Sequence, residues 1–206
     1  MRLNRTAIIF LTILCLFLAA CSGNPPAAEK KAEPVKPPQP VTGLSAFYRM
    51  YGVARAWAPD AQVLQLRSLP LQEVKSEPGK AGAWECTFVT GRRHRARRYT
   101  YSEVAAPGLP KGVSGGSEDA WYPSNQQKPF FIQAVKTDSV AAYETALKKS
   151  AEYVKKHPDM AMKFLLEFTK DLRNPAWRVV WGESVAMSDY SVYVDATTGA
   201  YVKTAR

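Results

Sequence analysis

Histidine is nearly missing from this sequence. His94 and His157 are the two it has, and neither stands at ligand spacing from the other or from a cysteine, which argues against a tetrahedral zinc site. His157 precedes Pro158, where an imidazole commonly closes a helix C-terminus. Cysteine is equally sparse, at Cys15, Cys21 and Cys86, without the close spacing of a metal knuckle. No Gly-x-Ser-x-Gly elbow occurs, and Gly115-Gly116-Ser117 lacks the lysine and spacing of a phosphate loop. The paired carboxylates Glu118-Asp119 fall in a glycine-rich stretch that offers no means of raising one pKa for acid catalysis. These absences assign no catalytic residue, cofactor or metal ligand, and they place an enzyme third among the function classes.

Long apolar runs are absent too. Ala7 to Leu18 is uncharged and mostly apolar, but it falls short of the roughly 20 residues that span a hydrocarbon core of about 30 Å. With Arg2 and Arg5 before it and small residues after it, it has the layout of a signal peptide. At its end, Leu18-Ala19-Ala20-Cys21 resembles a bacterial lipobox. The resemblance implies cleavage before Cys21 and acylation of that cysteine, so that the chain is anchored to a membrane by lipid. Ser22 stands where the lipoprotein family uses aspartate for inner-membrane retention. The resemblance therefore implies the periplasmic face of an outer membrane.

After acylation of Cys21 and loss of Cys15 with the leader, Cys86 has no partner for an intramolecular disulfide. It alternates within an aromatic strand-like run and reads as a buried structural thiol. Residues 21–42 carry Pro25, Pro26, Pro34, Pro37, Pro38 and Pro40 among alanine, lysine and glutamate. This composition makes an extended tether. The rest is long enough to bury a substantial core.

Lys and Arg number 28 against 18 Asp and Glu, a net charge of +10. In an envelope such an excess points to anionic lipid headgroups or wall polymer, and no nucleic-acid motif is present. The densest charge is Arg92, Arg93, Arg95, Arg97 and Arg98 around His94. The run reads first as the solvated turn of a hairpin, its arginines projecting into solvent. The sharper alternative is an anion-contacting loop.

Self-similarity organises the remainder. Leu44, Phe47, Met50, Tyr51, Ala54 and Trp57 share one helical face before Pro59, and Asp138-Ser139 opens a second helix with Val140, Tyr143, Leu147, Ser150 and Val154 on one face before Pro158. Val63 to Leu69 follows the first as a strand. Met160 to Phe168 follows the second with alternation that fits a strand and spacing that also fits a helix; the parallel with the first half favours a strand. Trp84 to Phe88 and Trp177 to Trp181 then begin aromatic strands, which return as Tyr99 to Tyr101 and Tyr190 to Val194. Phe130 to Val135 and Ala200 to Lys203 are the expected closing strands, the latter after a turn at Gly199.

The expected fold is α+β: two tandem helix-plus-antiparallel-sheet repeats, helices packed on sheet faces. The boundaries are 1–20 for the leader, 21–42 for the lipidated tether, 43–106 for the first repeat, 107–128 for an irregular connection and 129–206 for the second repeat, whose first strand could complete repeat one. Glycines 108, 112, 115 and 116 make the connection a mobile loop. Trp121 and Tyr122 within it read as pegs that pin it to the body.

The Asp138-Ser139 helix, Trp177-Arg178-Val179 and the closing Tyr193-Val194-Asp195-Ala196-Thr197-Thr198-Gly199-Ala200-Tyr201-Val202 together resemble PepSY-like domains. The resemblance covers about residues 131 to 203 and, more faintly, 44 to 103. It implies a small envelope binding module, often repeated, with a regulatory relation to peptidases and no catalytic residues to carry over. Two readings from different classes follow: a non-catalytic module that binds a protein or peptide, and a structural envelope protein that docks on anionic lipid or wall polymer through its basic surface.

Overall fold

The computed structural model describes residues 37–185 and 188–205. The leader, Cys21 and the tether up to residue 36 lie outside the described residues.

Thr42 starts helix α1 (Gly43–Trp57) by accepting a hydrogen bond from the Ser45 amide at 3.3 Å. Ala46, Phe47, Met50 and Ala54 are its buried stripe, at the three-and-four spacing of one helical face. The helix ends at Ala58, ahead of Pro59, because proline cannot supply the next helical amide. Helix α2 (Ser139–Lys156) starts at Asp138 and ends at His157, the capping position expected for that histidine. Its last turn carries Lys155 and Lys156, which suit the negative end of the helix dipole. The buried stripe of α2 is Ser139, Ala142, Ala146 and Ser150, not the larger Val140, Tyr143 and Leu147 expected to lead it. The strands beneath supply the bulk as tryptophan and tyrosine, so small residues make the closest approach while Tyr143 and Val154 pack at the margin.

Both helices cover one face of a fully antiparallel eight-stranded sheet. Its strands are β2 (Gln62–Leu69), β4 (Ala83–Thr90), β5 (Arg95–Ser102), β6 (Gly112–Ala120), β7 (Met162–Glu167), β8 (Ala176–Gly182), β9 (Ser188–Asp195) and β10 (Tyr201–Ala205). Short strands β1 (Val41–Thr42) and β3 (Lys80–Ala81) form a separate pair. The order across the large sheet is β10-β9-β8-β7-β2-β4-β5-β6. From a central seam between β2 and β7, each half of the chain therefore adds its strands outward in sequence order. Met160 to Phe168 resolves as strand β7, not helix.

The core sits where the halves meet. Trp84 and Trp177 are fully buried and touch edge to face, with ring centroids 6.3 Å apart. The Trp84 indole donates to the Val41 carbonyl at 3.1 Å and the Trp177 indole to the Thr137 carbonyl at 2.8 Å. Each carbonyl lies one residue before a helix cap. Cys86 is buried in this core, and desolvation, followed by the nearby Glu85 charge, pushes its thiol well above its ordinary range. It is placed as an inert packing group.

Three sequence expectations fail between residues 107 and 135. The outer strand of the first half is β6, inside the segment expected as an irregular, mobile connection. Phe130 makes a single bridge to Val63, and Ile132–Ala134 is a turn of 3-10 helix, so Phe130 to Val135 is no strand. β6 is a polar, glycine-bearing edge strand with little burial, so the alternation that betrays a half-buried strand is missing from it. Tyr122 is no peg: it is 70% exposed, its ring stacked on His94 at 5.2 Å. Trp121 is half-buried, and its backbone amide donates to the His94 carbonyl at 2.9 Å.

Candidate functional site

The arginine run divides in two. The turn proper spans residues 91–94, with His94 at a φ of 52°, while Arg95, Arg97 and Arg98 lie on β5. Arg92, Arg93, Arg95 and Arg98 are exposed, as expected of a solvated run, and only Arg97 of the five is half-buried. Arg93 donates to the Trp57 carbonyl at 3.0 Å and places its guanidinium 5.0 Å from the Trp57 ring centre. Arg97 lies 5.3 Å over the Tyr99 ring and donates to the Gly116 carbonyl at 2.8 Å. Glu118 on β6 sits opposite Arg97 and accepts from the Trp57 indole at 2.6 Å. These two arginines complete the edge of the core through cation–π contacts. Arg92, Arg95 and Arg98 are exposed, and no ion pair among the described residues engages them.

Polar side chains also gather beside the core. Arg49 of α1 donates to the Tyr101 hydroxyl, which donates to Glu103. Burial first, then the Glu103 bond and charge, push the Tyr101 hydroxyl up to about 12. On the other sheet face, burial raises the Glu167 carboxyl against the opposing pull of Arg178, the Tyr193 hydroxyl and Lys203. Arg178 is itself held by the hydroxyls of Ser191 at 3.1 Å and Ser188 at 3.0 Å. This network satisfies its own members. No group of three or more His, Cys, Asp or Glu among the described residues could hold a metal.

One cavity of about 530 Å³ lies between α2 and Tyr190, and further concave features lie at the seam. β2 and β7 pair as Gln65↔Glu167, Leu66↔Leu166 and Arg67↔Leu165. The backbone pairing ends there, although β2 continues to Leu69 and β7 begins at Met162. At the next position the Phe164 amide donates to the Ser68 hydroxyl at 3.0 Å, a side chain standing where a carbonyl would continue the ladder. Two cavities, of about 540 and 340 Å³, open at this point and share Ser68, Leu69, Pro70 and Lys163. The larger is lined also by Lys75 and Asp159, the smaller by Arg67 and Val185. Pro70 helps to end the pairing, since it has no amide to offer. Sequence reading reached the strands that bound the seam but not the opening, because which strands become neighbours across the middle of a sheet is set by tertiary packing.

No helix of the described residues is long and apolar enough to cross a membrane. No family model matches the chain, and no curated protein matches it. Among solved structures it is similar to a protein of Clostridium difficile 630 provisionally named a lipoprotein. That protein is 10% identical, with a TM-score of 0.40, over 78% of this chain and 91% of the other. A likeness of that size carries no argument about function. What the geometry defines is an α+β domain with two helices on a large antiparallel sheet.

Proposed function

We propose that this chain is a lipid-anchored envelope protein, held through Cys21 at the periplasmic face of an outer membrane, that binds a protein or peptide partner and catalyses no reaction. The anchor reading rests on the basic leader, the short apolar run and Leu18-Ala19-Ala20-Cys21. The two halves are read as tandem PepSY-like repeats, which the outward strand order from the seam and the matching indole bonds of Trp84 and Trp177 support. The resemblance to PepSY-like domains would make a peptidase the partner that is regulated.

One observation carries the binding reading: a sheet that stops pairing at its own centre and opens cavities shared by both strand edges. Such a concavity, bounded by backbone and a few polar groups, suits a ligand more than a packing role.

The second reading, docking on anionic lipid or wall polymer, is favoured by the exposed Arg92, Arg95 and Arg98. Salt separates the two. Native envelopes are incubated with the domain of residues 37–206 and with its Arg92→Ser/Arg95→Ser/Arg98→Ser variant, then washed at low and high ionic strength. Retention of both proteins through the high-salt wash supports the binding module. Loss of the wild type on raising salt, with no retention of the variant at low salt, transfers the function to the arginine surface. The triple change leaves stability within about 0.5 kcal/mol, as exposed substitutions do.

A further inference from the structure

The seam opens at both ends, and at one of them the molecule displays how such an opening is filled. Beyond Glu167 the strands are not joined directly: residues 126–130 lie between them. Phe130 exchanges both backbone hydrogen bonds with Val63, each 2.8 Å. On the other side the Lys128 amide donates to the Phe168 carbonyl at 2.7 Å and the Lys170 amide to the Gln126 carbonyl at 3.1 Å. The Gln127 side chain reaches the Leu64 carbonyl at 3.3 Å. A short extended segment thus inserts between β2 and the continuation of β7 and pairs with both.

The opposite opening has the same two walls, and among the described residues no backbone hydrogen bond joins a third segment to both of them there. Backbone groups alternate in direction along a strand. The Phe164 amide points toward β2, so the amide and carbonyl of Met162, two residues earlier, point the same way. Ser68, two residues on from the Leu66↔Leu166 pair, turns its own backbone groups toward β7. Among the described residues no backbone pairing between β2 and β7 extends to either position.

The charges around the opening have one sign in excess. Lys163 borders both cavities and Lys75 the larger. Arg67 also borders the smaller, but its guanidinium is held by Glu85 at 2.7 Å. Asp159 is the one acid that lines either cavity, and the smaller has none.

We infer that this end of the seam binds an extended peptide segment bearing acidic side chains, which pairs by backbone with β2 and β7 as residues 126–130 do at the other end, its carboxylates meeting Lys75 and Lys163. The inference rests on the reading of the chain as a binding module and names its ligand. Backbone pairing supplies affinity and the lysines supply the preference.

The test uses the full mature chain in detergent and fluorescein-labelled octapeptides, read by anisotropy. The first alternates glutamate and valine, the second lysine and valine, and the third is the glutamate peptide with alternate amides N-methylated along either edge. The glutamate peptide binds, while lysine replacement and N-methylation each weaken binding at least tenfold. Lys75→Glu/Lys163→Glu reverses the preference and takes the lysine peptide more tightly, an outcome that a merely misfolded variant cannot give. Binding that ignores N-methylation, or a preference that survives the charge reversal, overturns the proposal. So does failure of all three peptides to bind. If envelope retention through high salt persists in either case, the binding-module reading stands without this site; if retention is lost as well, both fall.

Discussion

Replacing Trp177 by alanine lowers the unfolding free energy by about 3 to 5 kcal/mol, the range found when a large buried aromatic is truncated. The upper part of that range applies here for three reasons. The ring is wholly buried, so its full apolar area returns to water on unfolding. Its indole donates to Thr137 at 2.8 Å, so truncation also strips a carbonyl of its partner. And the space it leaves cannot close easily, because the backbone of α1 already rests on it: a Cβ built at Gly43 would lie 2.5 Å from the Trp177 ring. Trp84 bounds the same space at 6.3 Å, so Trp84→Ala and Trp177→Ala together cost less than the sum of the single changes. Urea denaturation measures all three. A loss below about 1 kcal/mol for Trp177→Ala would mean that the two halves do not share one core.

Asp138→Ala costs about 2 to 3 kcal/mol, more than loss of an ordinary helix cap, which is typically about 1. The excess has a geometric cause. The Asp138 carboxylate accepts from the Ser139 amide at 2.7 Å, at the start of α2, and from the Leu44 amide at 2.9 Å, in the first turn of α1. One side chain therefore serves two helix N-termini from opposite halves of the chain, each with amide donors lacking an intrahelical partner. The Ser139 hydroxyl continues the junction, accepting from the Gly43 amide at 2.7 Å and donating to the Gly79 carbonyl at 2.6 Å. Asp138→Asn keeps one acceptor oxygen and loses less than Asp138→Ala. Equal losses for the two variants would show that charge, not the pair of caps, accounts for the effect.

Most of the layout was legible because it rests on local chemistry. The helix stops follow from Pro59 and Pro158 and the start of the second helix from Asp138, and the inner strands follow from tryptophan, tyrosine and valine at alternate positions. Gly199 adopts the expected positive φ, 76°. What escaped was decided between distant segments. β6 carries glycine, serine and acids instead of an apolar face, and its strand character comes from pairing with β5, where Glu118 stands opposite Arg97. Acids some twenty residues beyond an arginine-rich strand were the signal available for it. Asp138 was readable as the cap of its own helix, but its bond to Leu44 depends on the approach of two helix ends 94 positions apart. The seam is legible only once β2 and β7 are neighbours. Its residues, Ser68-Leu69-Pro70 and Met162-Lys163, resemble ordinary strand ends.

The measurement that bears most directly on the account is photo-crosslinking in intact cells from two positions. One is Ser76, at the rim of the larger cavity, and the other Tyr122, beside the arginine turn, each replaced in turn by a photoreactive phenylalanine in the full chain. The account predicts a discrete protein or peptide adduct from position 76, reduced at least tenfold by excess glutamate–valine octapeptide, and none that the peptide competes away from position 122. Adducts from position 122 alone, or no adduct from position 76, would contradict a module that holds its partner at the open end of the seam.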